Sequence, residues 1–484
     1  MFSLFRKQRP IAINVFNTAT RTKEVFVPLT RGVVRIYSCG PTVYDHIHIG
    51  NLRAYLLPDL LHRLFRYAGY SIKLTINVTD FGHLSDDGDA GEDKMMKGMK
   101  REGLAITLEN MRSFAEPYIR SFQEDLRTFG NLPPTTLSRA SDYVKHQIKL
   151  IETLVQKGYA YETSDGVYFD ISKFPKYGIL GNVDVSHLKA GARIEANPEK
   201  HQPADFALWK KGPLGWKSRW GQGFPGWHIE CTAMAFATLG KQIDIHTGGE
   251  DLMYTHHNGE IAQAEALTHK EYVKYWLHNA FVTINDAKIA KSKGTGIRLS
   301  TLKEKGFTAA DYRYWLLQSH YRTPTNFSYE ALESARTALT RLKHMMYAEL
   351  GEVKVGTVHD HYEERFVAAL ADDLDTPKAI AILWELVKDT SVAKEDKRAT
   401  ILVFDSLLGL GLSLDPHIGQ AELGIHRDTD IPEHVHELVT ARSAARSQKD
   451  WAEADRLRDE IASAGYRVTD TDEGVEITTL DIHR

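Results

Sequence analysis

The stretch MYTHHNGEIAQ, residues 253–263, sets His256 and Glu260 four positions apart. On a helix that spacing brings an imidazole and a carboxylate onto one face. Together with thiolates they make up the common donor set for zinc. The chain has two cysteines, Cys39 and Cys231, both distant in sequence from that pair. Spacing alone therefore leaves two readings open: a metal site gathered from separate segments, or a helix whose polar residues face water. HHNGE is not H-E-x-x-H, so the motif of a zinc hydrolase is missing. Gly259, inside the same turn, costs a helix about 1 kcal/mol relative to alanine.

Two further stretches could handle phosphate. HIHIGNLR (46–53) follows a strand and opens a helix. Free N–H groups and the positive end of the helix dipole there suit an anion. Gly50 allows close backbone approach, and His48 can donate a hydrogen bond. DAKIAKSKGTG (286–296) gathers Lys288, Lys291, Ser292 and Lys293 before two glycines. It reads as a cationic loop suited to polyphosphate or, more blandly, as a solvated basic turn.

The elements that must position these residues are legible. VVRIYSC (33–39) reads as a buried strand stopped by Gly40-Pro41. Leu52, Leu56, Leu60, Leu61, Leu64 and Phe65 recur at helical spacing, with Pro58 expected to kink the helix and Gly69 to end it. SIKLTINVTD (71–80) alternates as a second strand, completing a βαβ unit and implying a parallel sheet with a ligand at its carboxyl ends. No G-x-G-x-x-G accompanies it, which argues against a dinucleotide site. A second α/β half follows, with a strand ending at Gly248-Gly249, a helix through EIAQAEAL, and a strand at 275–285. Between the halves lie helical patterns near 104–129 and 140–157 and a hairpin turning at Ser164-Asp165-Gly166. After about residue 305 the pattern turns helical, with Ser328 as an N-cap and a stripe of Ala331, Leu332, Ala335, Leu339 and Leu342. Residues 413–432 read as a linker. The tail reads as a helix closed by Gly465, then a hairpin turning at TDEG.

Composition sets outer bounds. The chain has 484 residues, 42% hydrophobic and 26% charged, with a formal net charge of −4. Such a chain is expected to be a soluble protein of several domains. The charge balance gives no overall support for nucleic-acid binding, so any such partner needs a local basic surface. The cysteine count excludes a disulfide framework. No run approaches the roughly 20 apolar residues of a membrane span, and the basic start lacks a signal-peptide core. A cytoplasmic location is expected.

Taken together, a His-Ile-Gly tetrapeptide after the first strand of a split sheet and a K-x-x-K-S loop closing its second half resemble the class I aminoacyl-tRNA synthetases. The matches YSCGPTVYDHIHIGNLR, NVTDFGHL, PGWHIECTAMA, DIHTGGEDLMYTHHNGEIAQAEA, KIAKS and KDWAEADRLRDEI resemble the cysteinyl-tRNA synthetase family from about residue 12 to 480.

That resemblance implies an α/β fold: a split Rossmann-like parallel-sheet catalytic domain with a connective insertion, then a helical bundle and a small α+β C-terminal domain. The implied division is 12–130 and 226–307 for the catalytic halves, 131–225 for the insertion, 308–412 for the helical stem-contact and anticodon-binding region, and 413–484 for the linker and C-terminal anticodon-recognition domain. It implies one Zn²⁺ held by Cys39, Cys231, His256 and Glu260, with His257 on another azimuth and not a ligand. Thr79, Trp227 and His246 would line a pocket for L-cysteine. ATP with Mg²⁺ would meet Gly50, Gly248, Asp251, Lys291 and Ser292. His48, Asn51, Lys288 and Lys291 would serve the adenylation transition state. The implied acceptor is tRNA(Cys), with no membrane partner and a monomeric state as the family's habit.

Two motifs depart from the family pattern. Asn51 stands where the fuller motif has a second histidine, and an amide can still donate. Ile289 and Ala290 replace Met and Ser in the Lys-Met-Ser-Lys-Ser loop. Ile289 keeps an apolar side chain, while Ala290 loses a hydroxyl. The rival readings are a cysteine ligase of mycothiol synthesis with an amino-sugar acceptor, a zinc-dependent hydrolase, and a non-catalytic zinc-binding scaffold. Residues 308–484 favour the synthetase over the first. Arg336, Arg341, Lys343, Arg442, Arg446 and Lys449 are candidates for phosphate contacts and equally for solvated faces.

Overall fold

The computed structural model describes residues 11–81, 94–183, 197–284, 287–288, 296–423, 431–471 and 474–480. Contacts divide it into two compact units. The first comprises Met1–Arg298, Leu316–Phe327 and Val367–Ala379; the second comprises Leu299–Trp315, Ser328–Phe366 and Ile380–Arg484.

In the first unit a short antiparallel pair, β1 (Asn14–Asn17) and β2 (Thr22–Val25), precedes β3 (Val33–Ser38). Helix α1 (Ile49–Tyr67) then leads to β4 (Ser71–Val78). The helix buries Leu52, Leu56, Leu57, Leu60, Leu61 and Leu64, the apolar face that its spacing predicts. Pro58, expected to kink it, lies inside a helix assigned without a break from Ile49 to Tyr67. Gly69 turns the chain into β4 at φ +88°, where a side chain would be strained. After α2 (Lys94–Arg101) and α3 (Leu108–Thr128) comes β5 (Thr136–Arg139). Although it falls in the segment read as an insertion, β5 pairs in parallel with β4 and extends the central sheet. Its four residues, TLSR, carry no apolar run that would announce a sheet strand.

Helix α4 (Val144–Gln156) enters an antiparallel sheet of β6 (Ala160–Glu162), β7 (Gly166–Phe169), β8 (Phe206–Ser218) and β9 (Gly221–Pro225). The first two strands form the expected hairpin; the long β8–β9 hairpin was not foreseen. The chain returns to the parallel sheet through α5 (Ile229–Thr238), β10 (Ile243–Gly249), α6 (His256–Thr268) and β11 (Val273–Asn279). The single strand expected at 275–285 is in fact two. The chain leaves the sheet after Asn279, and β12 (Val282–Ile284) joins β13 (Ala287–Lys288) and β14 (Thr325–Asn326) in a separate small sheet. The central sheet has the order β11-β10-β3-β4-β5 with every pair parallel.

The helices beyond it are α7 (Leu299–Glu304), α8 (Ala309–Leu317), α9 (Tyr329–His344), α10 (Asp360–Ala371), α11 (Thr376–Lys388), α12 (Lys394–Leu408), α13 (Pro416–Glu422), α14 (Glu433–Ser447) and α15 (Trp451–Ser463). Ser328 caps α9 by accepting from the Ala331 N–H at 3.1 Å, and Leu332, Ala335, Leu339 and Leu342 are its buried stripe. Helix α13 lies within the expected linker. Strands β15 (Tyr466–Thr471) and β16 (Gly474–Thr479) form the terminal hairpin; Ile431, Val435, Val439, Ile461, Val468 and Ile477 make a core with α14 and α15. Among the described residues no helix is long and apolar enough to cross a membrane.

Candidate active site

Strand β3 lies between β10 and β4, so the chain winds outward in both directions from the β3–β10 boundary. A parallel sheet leaves a crevice beyond its carboxyl ends at such a reversal, and ligands bind there. Cys39 follows β3 directly, and its N–H donates to the Thr247 carbonyl at 3.2 Å. Next to it, Gly40 has no room for a side chain, since a Cβ would fall 1.5 Å from the Asn77 carbonyl oxygen. Cys231 comes from α5, and His256 and Glu260 from α6. The structure brings all four donor groups together, with one ligand atom of each lying within 4.8 Å of the others.

Their surroundings are polar and dry. Glu260 is fully buried, with His256 Nε2 at 3.2 Å, His246 Nε2 at 3.1 Å and the Tyr272 hydroxyl donating at 3.3 Å. Burial opposes its charge, yet His246 and His256 hold the carboxyl down at about 2. Burial likewise works against a charged His256, but Cys231 and Glu260 lift it to about 10. Burial pushes the Cys39 thiol up to about 11, and burial with Cys39 nearby pushes Cys231 well above its ordinary value. Two buried thiols held neutral beside an ionised carboxylate form a set that a divalent cation would complete, because it would ionise both sulfurs. Two sulfurs, one imidazole and one carboxylate fit Zn²⁺.

Three nearby histidines, His228, His257 and His278, are held below their ordinary values. Burial and the His256 charge lower His228 to about 3, and its Nδ1 lies 3.2 Å from His256 Nδ1. His257, one residue on and on another azimuth of α6, also meets the cluster. Its Nε2 lies 3.5 Å from Cys39 Sγ and its Nδ1 2.7 Å from His278 Nε2. The reason is that α6 is buried on several sides, so successive residues both meet protein. Cys39, His246, His257 and Glu260 thereby form a second, overlapping group of possible ligands. Burial drives His257 well below its ordinary value and His278 to about 3.

Helix α6 explains its own glycine. A Cβ at Gly259 would stand 2.7 Å from the His228 ring, so glycine lets α6 approach α5 closely. Gly248 is constrained in the same way by the His257 ring at 2.7 Å. Of the expected cysteine-pocket residues, His246 stacks on Trp276 at 4.6 Å and grips Glu260. Half-buried Trp227 packs its ring 4.7 Å from that of His256. The Thr79 hydroxyl donates to Glu230 at 2.8 Å, and burial raises that carboxyl to about 8.

Of the residues expected on the phosphate side, His48, Gly50 and Asn51 lie at the start of α1. His48 is its N-cap, and the Asn51 side-chain oxygen accepts from the His48 N–H at 3.0 Å. The amide NH₂ of Asn51 is the group's remaining donor, which suits it to replace a histidine there. Gly50 lies in the first turn, and exposed Asp251 follows β10 in a short 3₁₀ turn. Lys288 is placed by its backbone in β13, while Lys291 and Ser292 lie outside the described residues. Sequence reading passed over His228, Glu230, Tyr272 and His278. The segment GWHIE did hold a signal, since a histidine and a glutamate precede Cys231 within three residues.

A family model for the class I (C) tRNA synthetase catalytic domain matches residues 25–337, and one for the cysteinyl-tRNA ligase anticodon binding domain matches residues 428–477. The chain belongs to the cysteine–tRNA ligase family. A DALR domain matches residues 365–410 between them. Cysteine–tRNA ligase 1 of Burkholderia lata is 43% identical over 472 residues, covering 96% of each chain. The cysteine–tRNA ligase of Treponema denticola is 38% identical over 95% of this chain and 98% of its own. Among solved structures, the methionyl-tRNA synthetase of Mycobacterium tuberculosis bound by methionyl-adenylate superposes with a TM-score of 0.54. It covers 82% of this chain and 95% of that one at 13% identity, which establishes a shared class I synthetase fold.

Proposed function

We propose that this chain activates L-cysteine with ATP and transfers it to the 3′-terminal ribose of tRNA(Cys). The observation that carries the reading is the meeting of Cys39, Cys231, His256 and Glu260 at the carboxyl ends of β3 and β10. In the first step a cysteine carboxylate oxygen bonds to the α-phosphorus of ATP as its bond to the β-phosphate oxygen breaks, releasing pyrophosphate. In the second a ribose hydroxyl displaces AMP from the acyl carbon. Neither step needs a covalent bond to the protein, so the side chains act by position and charge.

His48 and the Asn51 amide would hold phosphate oxygens at the head of α1, where the helix dipole adds its pull. Lys288 and Lys291 would neutralise the departing pyrophosphate, with Mg²⁺ and Ser292 beside them. Asp251 would accept from the ATP ribose, and Gly50 and Gly248 would give the nucleotide backbone room. Thr79, Trp227 and His246 would bound the cysteine pocket. Zinc held by the four ligands would supply a soft acceptor for the substrate thiolate, which a serine hydroxyl matches poorly. The match at 428–477 supports a transfer RNA over an amino sugar as acceptor. The five-part division into 12–130, 131–225, 226–307, 308–412 and 413–484 remains our reading, as do a monomeric state and the cytoplasm.

ATP–pyrophosphate exchange on metal-analysed protein, with cysteine and serine in parallel, tests the proposal. Exchange with cysteine alone, lost on removing about one zinc, is expected. Folded, zinc-loaded protein that exchanges no pyrophosphate would overturn it.

A further inference from the structure

Arg53 stands one turn into α1, just past His48 and Asn51, and is 3% exposed. Its guanidinium forks across two chain segments. One nitrogen donates to the Phe281 carbonyl at 3.0 Å; the other donates to the carbonyls of His320 at 3.0 Å and Thr323, and reaches Tyr321 at 3.4 Å. Those segments are themselves laced together. The Ala280 N–H donates to Tyr321 at 2.9 Å, Thr325 N–H to Phe281 at 3.1 Å and Phe327 N–H to Thr283 at 2.7 Å. Immediately after Phe281 comes β12, whose Thr283 pairs with Lys288 in β13.

A second tie runs from the other side. The Ile49 N–H, the first of α1, donates to the Ile297 carbonyl at 2.8 Å, and Arg298 pairs with Asp45 at 3.1 Å. The described chain on both sides of 289–295 is thus fastened to the first turns of α1. At the far end of the 320–323 segment, Asp373 accepts from the Tyr321 hydroxyl at 2.7 Å and from Arg322 at 2.9 Å.

We infer that Arg53 is a positioning residue for adenylation, a buried fork that fixes the strand bearing Lys288 relative to the helix start bearing His48 and Asn51. It contacts no reacting atom. It acts by holding two sets of phosphate-facing groups at one separation, and the inference rests on the function proposed above. A displacement of about 1 Å in such groups can cost on the order of 10²-fold in rate. Lysine would keep the charge but offers donors from a single nitrogen, too compact to span Phe281 and the 320–323 carbonyls together.

The test uses full-length Arg53→Lys and Arg53→Gln with two readouts: pyrophosphate exchange, and amide hydrogen exchange by segment. The expected result is a loss in kcat of about 10- to 100-fold in both variants, with zinc content and the KM for cysteine within about twofold of the parent. Amides at 281–284 and 320–327 should exchange faster, and those in β4 and β10 should not change. Parent-like kcat in both variants would overturn the inference even if those amides loosen. So would a joint loss of zinc, cysteine affinity and kcat, which marks a general structural role. Faster local exchange in the variants of a parent that makes no pyrophosphate would confine Arg53 to holding the fold and defeat the proposed function separately.

Discussion

The α5–α6–β10 region and the C-terminal pair α14–α15 with its hairpin are built on opposite plans. The terminal core is six aliphatic side chains, and the buried Arg442 beside it pairs with the more exposed Asp470 at 2.8 Å. The α6 region instead buries His246, His256, His257 and Glu260 to 2% exposure or less. An aliphatic core is stable by area alone. A dry cluster of ionisable groups is costly unless every charge is matched, so its presence points to a bound partner that matches them. The difference teaches where to look for function: in the core that breaks the rule of apolar burial.

Several perturbations should separate the two regions. Chelation of the metal, the largest, should abolish cysteine-dependent exchange and leave the terminal core folded, read by hydrogen exchange at 431–479. Retained exchange after verified metal loss would remove zinc from the chemistry. Lys291→Ala should lower adenylation by about 10²–10³-fold with little change in melting temperature; a near-parental rate would end that role. Ile461→Ala should do the reverse, destabilising the terminal core by about 2–5 kcal/mol while pyrophosphate exchange keeps its rate. Reduced charging of tRNA with unchanged adenylation would assign that core to the RNA. Ser328→Ala removes one N-cap bond from α9, and thermal melting should show a loss of about 1 kcal/mol with no kinetic effect.

The smallest effect concerns pH. His344 lies 2.8 Å from Glu476, and that hydrogen bond raises the imidazole above its ordinary value. A raised folded-state value means the stabilisation is complete below the unfolded value, near 6.5, and fades as pH climbs through the folded one. Parent and His344→Ala melting temperatures should therefore differ most in mild acid and converge on the alkaline side. A constant gap across that range would show that the ion pair does not set it.

Much of the scaffold could be read in advance because it follows apolar periodicity. VVRIYS and SIKLTINV are strands by composition, and α1 declares itself through leucines at helical spacing. Strand β5 escaped because four largely polar residues join the sheet through register with β4 rather than through their own preference. The break after Asn279 escaped because Ala280 and Phe281 extend an apolar run while the chain changes sheets. The candidate metal ligands were beyond spacing altogether. Cys39 and Glu260 lie 221 residues apart, and only the resemblance joined them before the fold did. That His257 also reaches Cys39 was not legible, because an azimuth on a helix does not say that α6 is buried on several sides.

Gly259 carries a wider implication. Helix α6 forgoes the intrinsic stability an alanine would give so that its axis can stand closer to α5, with the His228 ring filling the space of a missing methyl. A sturdier helix would sit further out, and the distance from His256 and Glu260 to Cys231 would grow with it. The spacing of the candidate metal donors is therefore written partly in a residue that has no side chain, and no inspection of ligand types alone would find it.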